Sequence, residues 1–113
     1  MTKEWFIIRE FVTKSEAEEL REALIRDERF PKKRIRIIGR GSWGGWLLES
    51  NWTDRLDERF HIRRAMAYVD GYMRHKHGWP KRTPVYAVYD EATKFTRDDF
   101  EMLRRERAQG RLR

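Results

Sequence analysis

The sequence predicts a single α+β domain of 113 residues, with elements in the order β-α-β-β-α-β and one further helix at the C-terminus. Segments whose apolar residues alternate as in strands are interspersed with segments whose apolar residues recur every three or four positions, as in helices. The composition combines 40% charged with 13% aromatic residues. Because disordered chains are poor in aromatic residues, this mixture is typical of a folded domain with a strongly charged surface.

The first strand and helix have clear local signals. Residues 5–12 (WFIIREFV) are a short run of aromatic and β-branched residues, which predicts a strand. Thr13 followed by Glu16 has the form of a capping box. It predicts a helix that runs to about Asp27, with an apolar stripe that includes Leu20 and Leu24.

Basic and apolar residues alternate in the next segment, 32–38 (KKRIRII). This alternation predicts a strand with one buried face. Ile35 and Ile37 would face the core, whereas Arg34 and Arg36 would face the opposite side.

A turn at 39–42 (GRGS) and a return strand at 43–50 (WGGWLLES) complete a predicted hairpin. The longest helix is then expected at about 54–77, because Gly78 is suited to its C-terminal cap and Pro80 prevents continuation. The apolar stripe of this helix comprises Leu56, Phe60, Ile62, Met66, Val69 and Met73.

The C-terminal part contains one more strand and one more helix. Residues 83–90 (TPVYAVYD) predict a strand, and 96–99 (TRDD) predict the capped start of a helix that buries Phe100 and Leu103. Residues from about 104 to 113 are polar and are expected to form a fraying tail.

Two β-α-β units that share one sheet, with both helices on one face, form a ferredoxin-like split βαβ sandwich. Right-handed crossovers predict the strand order 4-1-3-2. In a competing layout the strand order differs, or the last strand pairs with a partner chain. The final helix covers part of the open face or docks elsewhere. The predicted core contains Leu20, Leu24, Ile35, Ile37, Val69 and Val88.

Charge and composition limit the partners. The net charge of +7 and the pI near 10 favour a polyanionic partner, chiefly nucleic acid or an acidic protein face. The absence of cysteine excludes disulfides, thiolate zinc sites and cysteine nucleophiles. No apolar run has the length of a membrane span, and the N-terminal residues lack the apolar core of a signal peptide. We therefore expect a cytoplasmic protein without membrane contacts.

The glycine-rich and tryptophan-rich stretch RGSWGGWLLE (40–49) is the first candidate site. Trp43 and Trp46 are three residues apart, so on a regular strand they point to opposite faces. At least one is expected to be largely exposed on the open sheet face beside Arg36 or Arg40; in the alternative, both are core and hairpin residues. The stretch resembles the central-strand motif of RNA-recognition motifs, which implies that a tryptophan here stacks on bases.

Two further basic groups are candidates for phosphate contacts. Arg55, Arg59 and Arg63, spaced four apart, would form a ridge on the long helix, unless same-helix acidic residues neutralise it. The segment 74–82 is the densest basic patch, although cations at a helix C-terminus also stabilise the helix dipole. The candidate residues of this patch are Arg74, Lys76, Trp79, Lys81 and Arg82.

The sequence thus favours a small basic module that binds RNA or single-stranded DNA, with no cofactor. The alternative is a protein-binding inhibitor or adaptor of the kind that viruses often encode, with Trp and Arg as interface hot spots. A weaker alternative is a metal-dependent nuclease. No catalytic motif has diagnostic spacing, and His75 and His77 have no evident third ligand, so no catalytic or metal-binding residue is assigned.

Overall fold

The computed structural model of the protein describes residues 4–79 and 95–110. Within them lie three strands, three α-helices and one short 3-10 turn, which confirms the α+β class. The elements are β1 (Phe6–Phe11), α1 (Lys14–Asp27), the 3-10 turn (Lys32–Arg34), β2 (Ile35–Ile38), β3 (Trp46–Ser50), α2 (Phe60–His77) and α3 (Arg97–Ala108).

The three strands form an antiparallel sheet in the order β1-β3-β2. Because β3 is antiparallel to both neighbours, β1 and β2 run parallel to each other. The fourth strand that the ferredoxin-like arrangement requires was predicted at 83–90, and this segment, including Val88, lies outside the described residues. A bulge between Ile7 and Arg9 shifts the register of β1 against β3.

The core lies between one face of this sheet and helices α1 and α2. Leu20 and Leu24 of α1, Ile35 of β2 and Val69 of α2 are buried in one cluster, as predicted. Ile37 is half-buried and packs against the cluster. The opposite sheet face, which we call the open face, carries the alternate residues of each strand.

Helix α1 has the boundaries that its sequence signals predict. The Thr13 hydroxyl accepts a hydrogen bond of 3.1 Å from the Glu16 backbone N–H, which satisfies one of the unpaired donors at the helix start. The Glu16 carboxylate instead lies 3.3 Å from Lys76 Nζ on α2. The cap of α1 therefore also connects the two helices.

Helix α2 begins at Phe60, six residues later than the sequence predicts. The Asp54 carboxylate accepts hydrogen bonds from the backbone N–H groups of Leu56, at 2.8 Å, and Asp57, at 3.2 Å. This local turn competes with the helix, as short acidic side chains commonly do. Leu56 was expected in the apolar stripe but is 98% exposed, so that prediction is wrong. The helix ends as expected, with Gly78 in a left-handed conformation (φ 71°).

The hairpin strands are shorter than predicted. Pro31 leads into the 3-10 turn, so β2 contains only Ile35–Ile38. Arg34 therefore does not alternate with Arg36 on a strand. Its backbone carbonyl accepts hydrogen bonds from Ser50 Oγ, at 2.6 Å, and from the Asn51 N–H, at 3.1 Å. These bonds anchor the turn to the end of β3.

Helix α3 starts with the predicted capping box. The Thr96 hydroxyl accepts from the Asp99 N–H at 3.3 Å, and the Asp99 carboxylate accepts from the Thr96 N–H at 3.0 Å. Phe100 and Leu103 are buried. The helix continues through Ala108, so the prediction of a fraying tail from about residue 104 is wrong up to that residue. None of the helices in the described part of the chain is long and apolar enough to cross a membrane.

Candidate nucleic-acid interface

The loop between β2 and β3 is built around the buried carboxylate of Glu10. This side chain, on a residue that is 4% exposed, accepts hydrogen bonds from the backbone N–H groups of Trp43, at 3.1 Å, and Gly45, at 2.6 Å. The loop closes on itself through bonds of 2.8 Å from the Gly41 N–H to the Gly45 carbonyl and from the Gly44 N–H to the Gly41 carbonyl. The glycines thus serve a compact loop held by β1.

Neither tryptophan of this stretch is largely exposed, so that prediction is wrong. Trp43 is half-buried, with its ring centre 5.5 Å from Phe100 of α3 and 5.9 Å from Phe95. Trp46 is also half-buried and packs against the core between the sheet and the helices, close to Gly39. Trp46 thus packs with the core, and Phe100 of α3 packs against Trp43, so neither indole is left as an exposed stacking surface.

The indole that accompanies an arginine on the open face is Trp5. The Arg36 guanidinium lies 3.9 Å from the centre of the Trp5 ring. Arg36 Nε also donates a hydrogen bond of 3.0 Å to Glu49 Oε1 on β3. Sequence reasoning missed Trp5, although its spacing of two from Ile7, which faces the same side, was a usable signal.

Apolar side chains surround this arginine on the open face. Register places Ile7, Glu49 and Arg36 in one row across the three strands, and Ile38 lies in the next row. Ile7 is 46% exposed and Ile38 37% exposed. Beside Ile7, a cavity of about 230 Å³ opens at the edge of β1, with Leu47, Trp43 and Phe95 among its lining residues. The open face therefore carries partly exposed apolar side chains around the Arg36–Glu49 pair.

The positive charge of the chain is concentrated in residues 29–48. This segment contains six of the 26 basic residues and none of the 19 acidic ones, so nearly all of the net charge of +7 arises there. Among residues 4–79 and 95–110, Arg36 is the one of these six that forms an ion pair, and its partner is Glu49. All are exposed except Arg34, which is half-buried. The six residues are Arg29, Lys32, Lys33, Arg34, Arg36 and Arg40.

The ridge predicted from Arg55, Arg59 and Arg63 does not form. Since α2 begins after Arg59, only Arg63 lies on the helix. Arg63 forms an ion pair with Asp57, and the Arg59 guanidinium lies 4.8 Å from the Phe6 ring centre. Two of the three cations therefore make contacts within the protein.

The two described cations of the patch at the end of α2 both contact carboxylates of the protein. Arg74 Nε lies 3.1 Å from Asp70 Oδ2, and Lys76 Nζ lies 2.8 Å from Glu19 Oε1. Burial alone would lower the pKa of Lys76, but the hydrogen bond to Glu19 and the nearby Glu16 charge raise it above its ordinary value. Lys76 is thus a charged link between α1 and α2.

The described residues of this patch, Arg74, Lys76 and Trp79, do not lie on the open face with Arg36. Trp79 is half-buried beside His77, at 5.4 Å between ring centres. Helix α2 packs on the sheet face opposite to Arg36, so the sheet separates the two groups. Lys81 and Arg82 lie outside the described residues.

Comparison of the chain with protein-family models, with curated proteins and with solved structures found no match. In the described part of the chain, no three His, Asp or Glu side chains are grouped so as to hold a metal ion. The candidate site thus consists of the basic segment 29–48 and the adjoining open face.

Proposed function

We propose that the protein binds nucleic acid, RNA or single-stranded DNA, along the basic segment 29–48. The observation that carries this proposal is the charge distribution. Twenty consecutive residues include six cations and no acidic residue, while basic groups elsewhere, such as Arg63, Arg74 and Lys76, pair with carboxylates of the chain.

Unpaired surface cations suit a polyanion for a definite physical reason. A phosphate backbone carries condensed counterions, and each cation that replaces one releases it, which favours binding in a salt-dependent way. A cation that already contacts a carboxylate contributes little of this effect, because its partner must first be displaced. Lys33 and Arg40 are exposed and have no ion pair among the described residues, so they are the strongest candidates for phosphate contacts.

A salt series tests the proposal. The affinity for labelled single-stranded RNA, single-stranded DNA and duplex DNA would be measured by fluorescence anisotropy at several salt concentrations. Lys33→Gln and Arg40→Gln are each expected to flatten the plot of log affinity against log salt by about 0.7 for a single strand. Lys14→Gln is the matched control, because it removes one charge from a cation that lies 4.0 Å from Glu18.

The outcomes separate the two main functions. A flatter slope in both hairpin variants but not in the control supports phosphate contacts by this segment. Equal slopes in all variants, or no binding at near-physiological salt, would overturn the proposal. One observation favours a protein partner in that case, namely the exposure of Ile7 and Ile38 on the open face.

A further inference from the structure

We propose that the Arg36 guanidinium, which lies over the Trp5 ring and donates a hydrogen bond to Glu49, is a stacking platform for an unpaired nucleobase. The inference deepens the proposed function and rests on it, since it assigns the base contact of a strand whose phosphates lie along segment 29–48. The partner it selects is single-stranded nucleic acid, because the bases of a duplex are stacked on one another.

The charge of Arg36 is already engaged, which argues against a phosphate role. Its Nε lies 3.0 Å from Glu49 Oε1, and the Glu49 side chain is only 10% exposed in the central strand of the described sheet. A phosphate at Arg36 would have to approach this carboxylate. The planar surface of the guanidinium has no such conflict, because stacking does not require the carboxylate to leave.

The geometry leaves one face of the guanidinium available. One face lies over the Trp5 ring at 3.9 Å from its centre, while the side chain as a whole remains 43% exposed. Since the Trp5 indole covers one face, a base can approach the exposed part of the guanidinium that the indole leaves uncovered. Arginine planes stack on aromatic rings and also on nucleobases, so a base can continue the stack begun by Trp5.

The platform is ordered before any ligand arrives. The Arg36 side chain extends from β2 across β3 to Trp5, the residue that precedes β1, and its hydrogen bond to Glu49 of β3 lies part-way along this path. A long side chain fixed in this way loses less conformational freedom on binding than a mobile one. Arg36 differs in this respect from the surface cations Lys32 and Lys33, whose side chains have no comparable hydrogen bond or ring contact among the described residues.

The surroundings fit a flat, largely apolar ligand with an anionic backbone. Ile7 lies in the same row of the sheet as Arg36, and Ile38 lies two residues along β2 on the same face, both partly exposed. Arg34 precedes the platform by two residues and Arg40 follows it by four. A base on Arg36 would thus have aliphatic neighbours beside it and cations for phosphates towards both ends of the strand.

The test compares two probes of equal length and charge: a single-stranded DNA oligonucleotide and the same backbone made entirely of abasic units. Wild-type protein is expected to bind the base-containing probe about 5- to 150-fold more tightly, the range of one base stack. Arg36→Lys keeps a cation for Glu49 but loses the plane, so it should remove most of this preference and leave the salt slope unchanged. Lys33→Gln, the matched variant, should keep the preference and flatten the slope.

Each result has a definite meaning. If wild type binds both probes equally, or if Arg36→Lys weakens both equally, the stacking platform is wrong while phosphate binding stands. If neither probe binds at any salt concentration used, the proposed function itself fails. Trp5→Phe keeps an aromatic ring beneath Arg36 and should retain part of the preference. Circular dichroism and the urea unfolding midpoint of every variant verify that it is folded.

Discussion

Single residues in the hairpin loop have distinct physical requirements. Gly45 is buried, and an added Cβ would overlap the Phe11 carbonyl oxygen and lie 2.9 Å from atoms of the Phe100 ring. Gly44 has open space around it but adopts a φ of 83°. Adjacent glycines are thus required for different reasons, one by close packing of β1 and α3 and the other by backbone conformation.

We predict that Gly45→Ala destabilises the protein more than Gly44→Ala does. The first change forces a methyl group against backbone and an aromatic ring, which costs about 1–3 kcal/mol or more. The second only places alanine in the left-handed region, at about 1 kcal/mol. Urea unfolding followed by tryptophan fluorescence measures both free energies. Equal losses would show that the loop relaxes freely around Gly45.

Arg40 also adopts a left-handed conformation, with a φ of 59° that is uncommon for residues other than glycine. We expect Arg40→Gly to leave the free energy of unfolding unchanged or raise it by up to about 1 kcal/mol, since glycine relieves this conformation. The salt slope for single-stranded nucleic acid should fall by about 0.7. Arg40→Gln is the control, because it loses the same charge without relieving the backbone. A loss of stability in Arg40→Gly alone would contradict this account.

At the level of elements, β2 is held on one side by β3 and on the other by a helix side chain. Arg21 of α1 donates a hydrogen bond of 3.3 Å from Nε to the Ile35 carbonyl and one of 3.2 Å from Nη2 to the Lys32 carbonyl. These bonds cover part of the backbone edge of β2. Unpaired strand edges favour association with other chains, and these two bonds occupy carbonyl groups at the edge of the described sheet.

The strand alternation of β2 predicts a graded series of alanine substitutions. Ile35 is buried, so Ile35→Ala should cost about 2–5 kcal/mol of unfolding free energy. Ile37 is half-buried, and its loss should cost roughly half as much. Ile38 is on the open face, and its replacement should change stability by less than about 0.5 kcal/mol. A series of urea unfolding curves checks the order, and a larger loss at Ile38 than at Ile37 would contradict the register.

At the scale of the whole molecule, ion pairs connect α1 to α2 on the covered side of the sheet, while among the described residues Arg36 is the one cation of segment 29–48 that forms an ion pair. Tyr72 Oη donates a hydrogen bond of 2.6 Å to Glu19 Oε2, and Lys76 contacts the same carboxylate. Burial opposes ionisation of Glu19, but the hydrogen bonds from Lys76 and Tyr72 outweigh it and lower its pKa. Polar contacts between the two helices therefore hold α1 and α2 together.

Stability should depend on pH through His61, which stacks on Trp52 at 3.7 Å between ring centres. Burial lowers the pKa of His61, and the Arg64 charge adds to this against the opposing effect of Asp54. The unfolded chain therefore binds a proton more readily than the folded one, so the free energy of unfolding should fall as pH drops from about 7 through the ordinary histidine pKa. Urea unfolding at several pH values measures this loss.

A matched pair of variants isolates the histidine responsible. His61→Phe keeps an aromatic ring against Trp52 without a titrating group, and it should reduce the pH dependence between about pH 7 and 5. His75→Gln changes an exposed histidine and should leave the dependence as in wild type. The assignment to His61 is wrong if the two variants keep the same dependence on pH.

Much of the local structure could be predicted from the sequence because its signals are local. The Thr13 and Thr96 caps, the Gly78 terminator and the burial of Ile35 follow from hydrogen-bonding groups and periodicity within a few residues. The predicted start of α2 was wrong because a local interaction competed with the helix. The carboxylate of Asp54 formed a turn in place of the first turns of α2.

For the candidate site, the sequence by itself determined where the cations are: Arg36 and Arg40 were identified, and the absence of acidic residues from 29–48 is readable without a structure. Only the tertiary structure decided which of these cations form ion pairs within the protein. Pairing across strands brought Glu49 and Trp5 to Arg36, and docking of α3 covered Trp43. Such contacts join residues that are far apart in the chain. No sequence period or motif spans that distance, so these contacts are evident only in the folded structure.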